Sequence, residues 1–176
     1  MNDKVKLIQE KIKQEEFIEL IQLKGVKQKV FDILTQKEGF IPQEIEIDPV
    51  FRLTFSNCEA VVSIDFIVNV DSTSFMVIRS IPTAIESWER YTISFARVIK
   101  DYQIPYAIVT DGENARIFYT LSGSLVRESI DGIFQKQEAV ELMNNFKKIP
   151  CPAKRLEKEK RIIYAFEGIK CPTVQQ

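Results

Sequence analysis

The sequence predicts an α/β fold: a central mixed sheet of four to five strands flanked by helices, with helical extensions at both ends. Three observations predict it. Residues 61–70, VVSIDFIVNV, alternate in polarity on a strongly apolar strand. Residues 75–110 run strand, amphipathic helix, strand, the order of a parallel crossover. Helical periodicity recurs at both ends of the chain, over 4–36 and again beyond 135. The expected organisation is one domain over 1–176: an N-terminal helix over 1–25, a core over 26–125 and a C-terminal helical segment over 126–176.

In chain order, residues 4–22 read as a helix, with Val5, Ile8, Ile12, Phe17, Leu20 and Ile21 at helical spacing. Gly25 is expected to break it. A second helix follows from about Val26 to Gln36, and Gly39 supplies its left-handed cap. Short strands are expected at Ile45–Ile47 and Phe51–Phe55, with Pro49 between them. In the strand 61–70, Val62, Ile64, Phe66, Val68 and Val70 point one way; Val61, Ser63, Asp65, Ile67 and Asn69 point the other. Asp71-Ser72-Thr73-Ser74 has turn chemistry, so 75–80 returns antiparallel. A helix over 85–100 buries Trp88, Thr92, Phe95 and Ile99. Ile104–Thr110 is a buried strand, turned at Asp111-Gly112 into Ala115–Thr120. Ser122-Gly123 is another turn. Helices at about 135–147 and 154–167 complete the chain.

Composition narrows the chemistry. The chain has 176 residues, 45% of them apolar, so it can bury a core without staples. No apolar run approaches the roughly 20 residues of a bilayer span, and the N-terminus has no secretory h-region. Cys58, Cys151 and Cys171 are odd in number and far apart, the pattern of reduced thiols in a cytoplasmic protein. There is no His, which excludes Ser-His and Cys-His nucleophiles and leaves no His/Cys metal cluster. The net charge of −1 gives no bulk attraction to nucleic acid.

Asp65 is the residue that stands out, a carboxylate inside an apolar strand. Phosphodiester hydrolysis needs an activated water and spread charge at phosphorus, which Mg²⁺ held by two or three carboxylates supplies. Register decides what shares its face. If residues 70 and 74 pair, Asp65 lies opposite Arg79 and shares a face with Val77; a loop one residue longer puts it with Ile78 and Ser80.

The segments LTQKEGFIPQEIEID, SIDFIV, VIRSIP, ERYTISFARVIKDYQIP and AIVTDGENARIF together resemble the N-terminal nuclease domain of type I restriction enzyme R subunits, in the PD-(D/E)XK superfamily. The likeness is strongest to small stand-alone versions of that domain and covers roughly residues 26–125. It implies a restriction-endonuclease-like fold, a nuclease-like core, Mg²⁺ as cofactor of an active form, and DNA as partner. It places the motif Asp on Asp65 and the upstream acid on Asp48, with Glu46 as its neighbour. These are the metal ligands that the resemblance implies. The motif Glu falls on Val77 and the motif Lys on Arg79, so one acid is missing and cleavage is left weak or lost. Glu86 or Glu89, on the next helix, is the candidate for a migrated acid. Arg79 can hold a phosphate bidentately but cannot readily release a proton.

Alternatives remain open at each residue. Asp65 also fits a solvent-side strand position, and Arg79 a simple ion-pair partner for it. Lys154, Arg155, Lys158 and Arg161 fit either contacts to DNA phosphates or a solvated helix face interrupted by Glu157 and Glu159. A non-catalytic scaffold on the same fold is the competing function. The amphipathic segment 4–22 offers a docking surface for a protein partner or for another copy of the chain. No membrane association is expected.

Overall fold

The computed structural model describes residues 3–56 and 58–168. Helix α1 runs unbroken over Asp3–Asp32 and ends in a wide turn over Ile33–Lys37. Gly25 does not break it. A helical glycine costs only about 1 kcal/mol, and the buried side chains Val30 and Leu34 hold the following turns against the body. Gly39 takes φ +83° and turns the chain away, as the sequence predicts.

Among the described residues, eight strands follow in two sheets. The larger has the order β1 (Ile45–Ile47), β4 (Phe66–Val70), β5 (Thr73–Ser80), β6 (Tyr106–Thr110), β7 (Ala115–Tyr119) and β8 (Ser124–Arg127). It is mixed, because β5 and β6 pair in parallel while its other pairs are antiparallel. The sixth strand, β8, is a four-residue return after the Gly123 turn, too short to carry a period of its own. The smaller sheet is the hairpin of β2 (Val50–Phe55) and β3 (Cys58–Ser63).

The single strand expected over 61–70 is two strands. The chain leaves the hairpin at Ser63 and enters the main sheet at Phe66, with Ile64 and Asp65 as the joint. Its apolar residues therefore divide between two cores. Val62, Ile64 and Ile67 pack with helix α2 (Glu89–Val98) and helix α4 (Ala153–Phe166). Phe66, Val68 and Val70 pack on the opposite face with Val30, Leu34 and helix α3 (Lys136–Met143). Both faces are covered, so the run is apolar on both sides.

Helix α2 is the crossover between β5 and β6. Its residues Tyr91–Val98 are all buried, because the sheet lies on one side and α4 and the β2–β3 hairpin on the other. Of the expected stripe, Thr92 and Phe95 are thus part of a helix buried nearly all round, while Trp88 and Ile99 flank it and are half-buried. Within α4, Glu159 is fully buried. It takes Arg97 at 2.9 Å, Arg155 at 3.0 Å, Arg90 at 3.5 Å and the Ser94 hydroxyl at 2.6 Å. Burial opposes ionisation of Glu159, but the Ser94 hydrogen bond and three guanidiniums outweigh it and hold its pKa below the usual carboxylate value. Tyr164 reaches the carbonyls of Leu53 and Cys58, fastening α4 to the hairpin. Cys58 is buried and free, Cys151 is partly exposed and free, and Cys171 lies outside the described residues.

Candidate functional site

The site forms where β4 begins and β5 ends. The β4–β5 hairpin closes through Asp71 and Ser72, both at left-handed φ, with Val70 opposite Thr73. That two-residue turn alone would set Asp65 opposite Ile78, one residue short of Arg79. A bulge between Val68 and Asn69 shifts the register, so Phe66 pairs with Ile78 and Ile67 with Val77. One further step puts Asp65 beside Arg79.

Asp65 is 5% exposed. Its Oδ2 accepts the Ser80 backbone N–H at 2.6 Å, and the Arg79 Nε lies 3.9 Å away. Its Oδ1 takes the ammonium of Lys27 at 3.0 Å. The same ammonium lies 2.5 Å from Asp48 Oδ1. Asp48 stands opposite Asp65 because the β1–β4 ladder continues one step, with the Asp48 N–H donating to the Asp65 carbonyl at 2.9 Å. Two carboxylates and two cations thus share one small volume. Lys27 sits above its ordinary pKa: partial burial pulls it down, but hydrogen bonds and charge from Asp48 and Asp65 outweigh that.

Arg79 is capped by aromatic rings. Its Cζ lies 4.6 Å from the Trp88 ring centre and 5.2 Å from that of Tyr91. The Tyr91 hydroxyl is 2.5 Å from Glu167 Oε1 and 3.2 Å from the Ser63 carbonyl. Burial first, then the Glu167 carboxylate, pushes its pKa up, so it stays a protonated donor. Phe166 lies against Trp88 at 5.4 Å, which brings the C-terminal end of α4 to this site.

The structure brings together Asp65, Asp48 and Arg79 of the residues singled out from the sequence. It adds Lys27, which the sequence reading missed; a lysine on a long polar helix carries no signal of what it reaches across the fold. The other candidate acids point elsewhere. Glu89 is ion-paired with Arg116, which also takes Glu128. Glu86 lines the cleft of about 370 Å³ beside Arg116. Glu46 accepts from Asn69 Nδ2 at 2.9 Å. Val77, where the resemblance would put the motif Glu, is fully buried in the apolar core under α2.

These donors are a poor fit to Mg²⁺. Both Asp65 oxygens already have donors, and the Asp48 oxygen nearest them is held by the same ammonium. A divalent ion would have to displace Lys27. Among the described residues, no three His, Cys, Asp or Glu side chains gather as ligands.

The basic helix divides in two. Lys154, Lys158 and Arg161, at i, i+4 and i+7, are exposed on the outer face of α4. Arg155 turns inward to Glu159. Among the described residues, no helix is long and apolar enough to cross a membrane.

A family model described as the type I restriction enzyme R protein N terminus matches residues 24–133. Those residues contain Lys27, Asp48, Asp65 and Arg79. Searches of curated proteins and of solved structures return no match.

Proposed function

The chain belongs to the family of type I restriction enzyme R protein N termini, and from that premise we propose that it is a cytoplasmic, restriction-endonuclease-like module that binds DNA and has lost Mg²⁺-dependent cleavage. One observation carries the reading. The Lys27 ammonium bridges Asp48 and Asp65, and Val77, where the resemblance would put the motif acid, is buried. The carboxylates that would recruit a metal are instead neutralised by Lys27 and Arg79. What a PD-(D/E)XK enzyme uses as a metal site acts in this chain as an ion-pair cluster joining α1, β1, β4 and β5.

DNA contact is assigned to Lys154, Lys158 and Arg161 on the open face of α4, with Arg79 a support beneath Trp88. Three phosphate contacts give a slope of log affinity against log salt of about −3 on duplex DNA. Such contacts carry no sequence code.

The test has two arms. Fluorescence anisotropy with a labelled duplex should show salt-sensitive binding that Lys154→Ala/Lys158→Ala/Arg161→Ala removes. Supercoiled plasmid with Mg²⁺ or Mn²⁺ should stay intact. Nicking abolished by both Asp65→Asn and Lys27→Met would favour the second reading, in which Lys27 stands in for the motif Lys and the module is a working nuclease.

A further inference from the structure

We infer that the projecting part of α1 pairs antiparallel with the same segment of a second copy of this chain. Residues 4–22 precede the family-matched block and extend about 30 Å at the rise of an α-helix. Among the described residues, no side chain from Lys4 to Gln22 bonds to another element of the protein. Yet apolar side chains stand in water along the whole segment: Leu7 is 60% exposed, Phe17 62%, Ile18 53% and Ile21 54%. Exposed apolar surface of this extent marks an interaction site.

The helical repeat of 100° per residue sets Leu7, Gln14, Ile18 and Ile21 along one line, with Phe17 at its edge. This line is not the continuation of the Val26–Val30–Leu34 stripe that enters the core, so docking on it leaves the body of each protein free. The occupant is indicated by charge. On one flank of the line, Lys4 and Lys11 occupy the first half of the segment, and Glu15 and Glu19 the second half. All four are exposed. A second copy running antiparallel, with Leu7 of one against Ile18 of the other, sets Lys4 near Glu19 and Lys11 near Glu15. The two-fold relation makes each contact occur twice.

Sedimentation velocity of the full chain over a hundredfold dilution series tests this. The expected species has twice the 20.4 kDa mass of one chain. Ile18→Glu should weaken the dimer by at least about tenfold, with helicity by circular dichroism unchanged because Ile18 supports nothing in the body. Lys4→Glu/Lys11→Glu should weaken it, Glu15→Lys/Glu19→Lys should weaken it, and the four changes together should restore it. A monomer at every concentration, a dimer indifferent to Ile18→Glu, or a quadruple variant without recovery overturns the proposal.

Discussion

Replacing Lys27 with Met keeps most of the side-chain stem and removes the ammonium that joins Asp48 to Asp65. The two carboxylates then differ in what they lose. Asp65 has a side chain only 7% exposed and retains the Ser80 N–H at 2.6 Å and the more distant Arg79. It forfeits one charge-assisted bond, worth about 1.5–3 kcal/mol. Asp48 is 57% exposed and turns to water, so its share is within about 1 kcal/mol. The expected loss is about 2–3 kcal/mol of unfolding free energy at neutral pH, read by urea denaturation. The pH dependence has a definite sign. The folded pKa of Lys27 lies above its ordinary 10.5, so its contribution is whole below that value and is lost as pH rises through the folded pKa. The gap between wild type and variant should be flat through neutrality and close in strong alkali. A loss under about 0.5 kcal/mol, the scale of an ordinary surface change, would refute the view that Lys27 neutralises a buried carboxylate.

Three other outcomes follow from the same geometry. Val77→Glu, which adds the acid that the resemblance puts at this position, should not create a site: it places a carboxylate in a fully buried apolar position and should destabilise by about 3–5 kcal/mol in chemical denaturation. Glu159→Gln should cost about 3–5 kcal/mol, because Arg97, Arg155 and Arg90 lose their common anion. As the folded pKa of Glu159 is depressed below 4.5, the stabilisation that Gln removes is present above that pH and lost as pH falls through the folded value; thermal melts across the acid range check it. Asp48→Asn should cost less than about 1 kcal/mol in the same urea assay, since its carboxylate is mostly in water.

The strand periods and turn residues made much of the fold legible. The Asp71–Ser72 turn, the β5–α2–β6 crossover and the hairpin at Asp111 all follow from local chemistry. The neighbour relation of Asp65 and Arg79 was one of two registers that the sequence left open; a two-residue turn with a bulge reaches the same register as the three-residue loop. The break at Ile64–Asp65 was hidden because both cores demand apolar residues, so the run reads as one strand. Glu159 sits in KRLEKEKR, which reads as solvated, and only the packing of α4 on Arg97 buries it. Lys27 was illegible for a related reason. Its partners are 21 and 38 residues away along the chain, and which helix face meets the start of β4 is decided by tertiary packing alone.

Calorimetric titration of Mn²⁺ into the wild-type protein and into Lys27→Met probes the neutralised-carboxylate claim most directly. The account predicts no detectable heat of binding with wild type, and binding in Lys27→Met that Asp65→Asn abolishes, because the ammonium no longer competes for the two carboxylates. Saturable binding to wild type that Asp65→Asn removes would contradict it and return the site to metal chemistry.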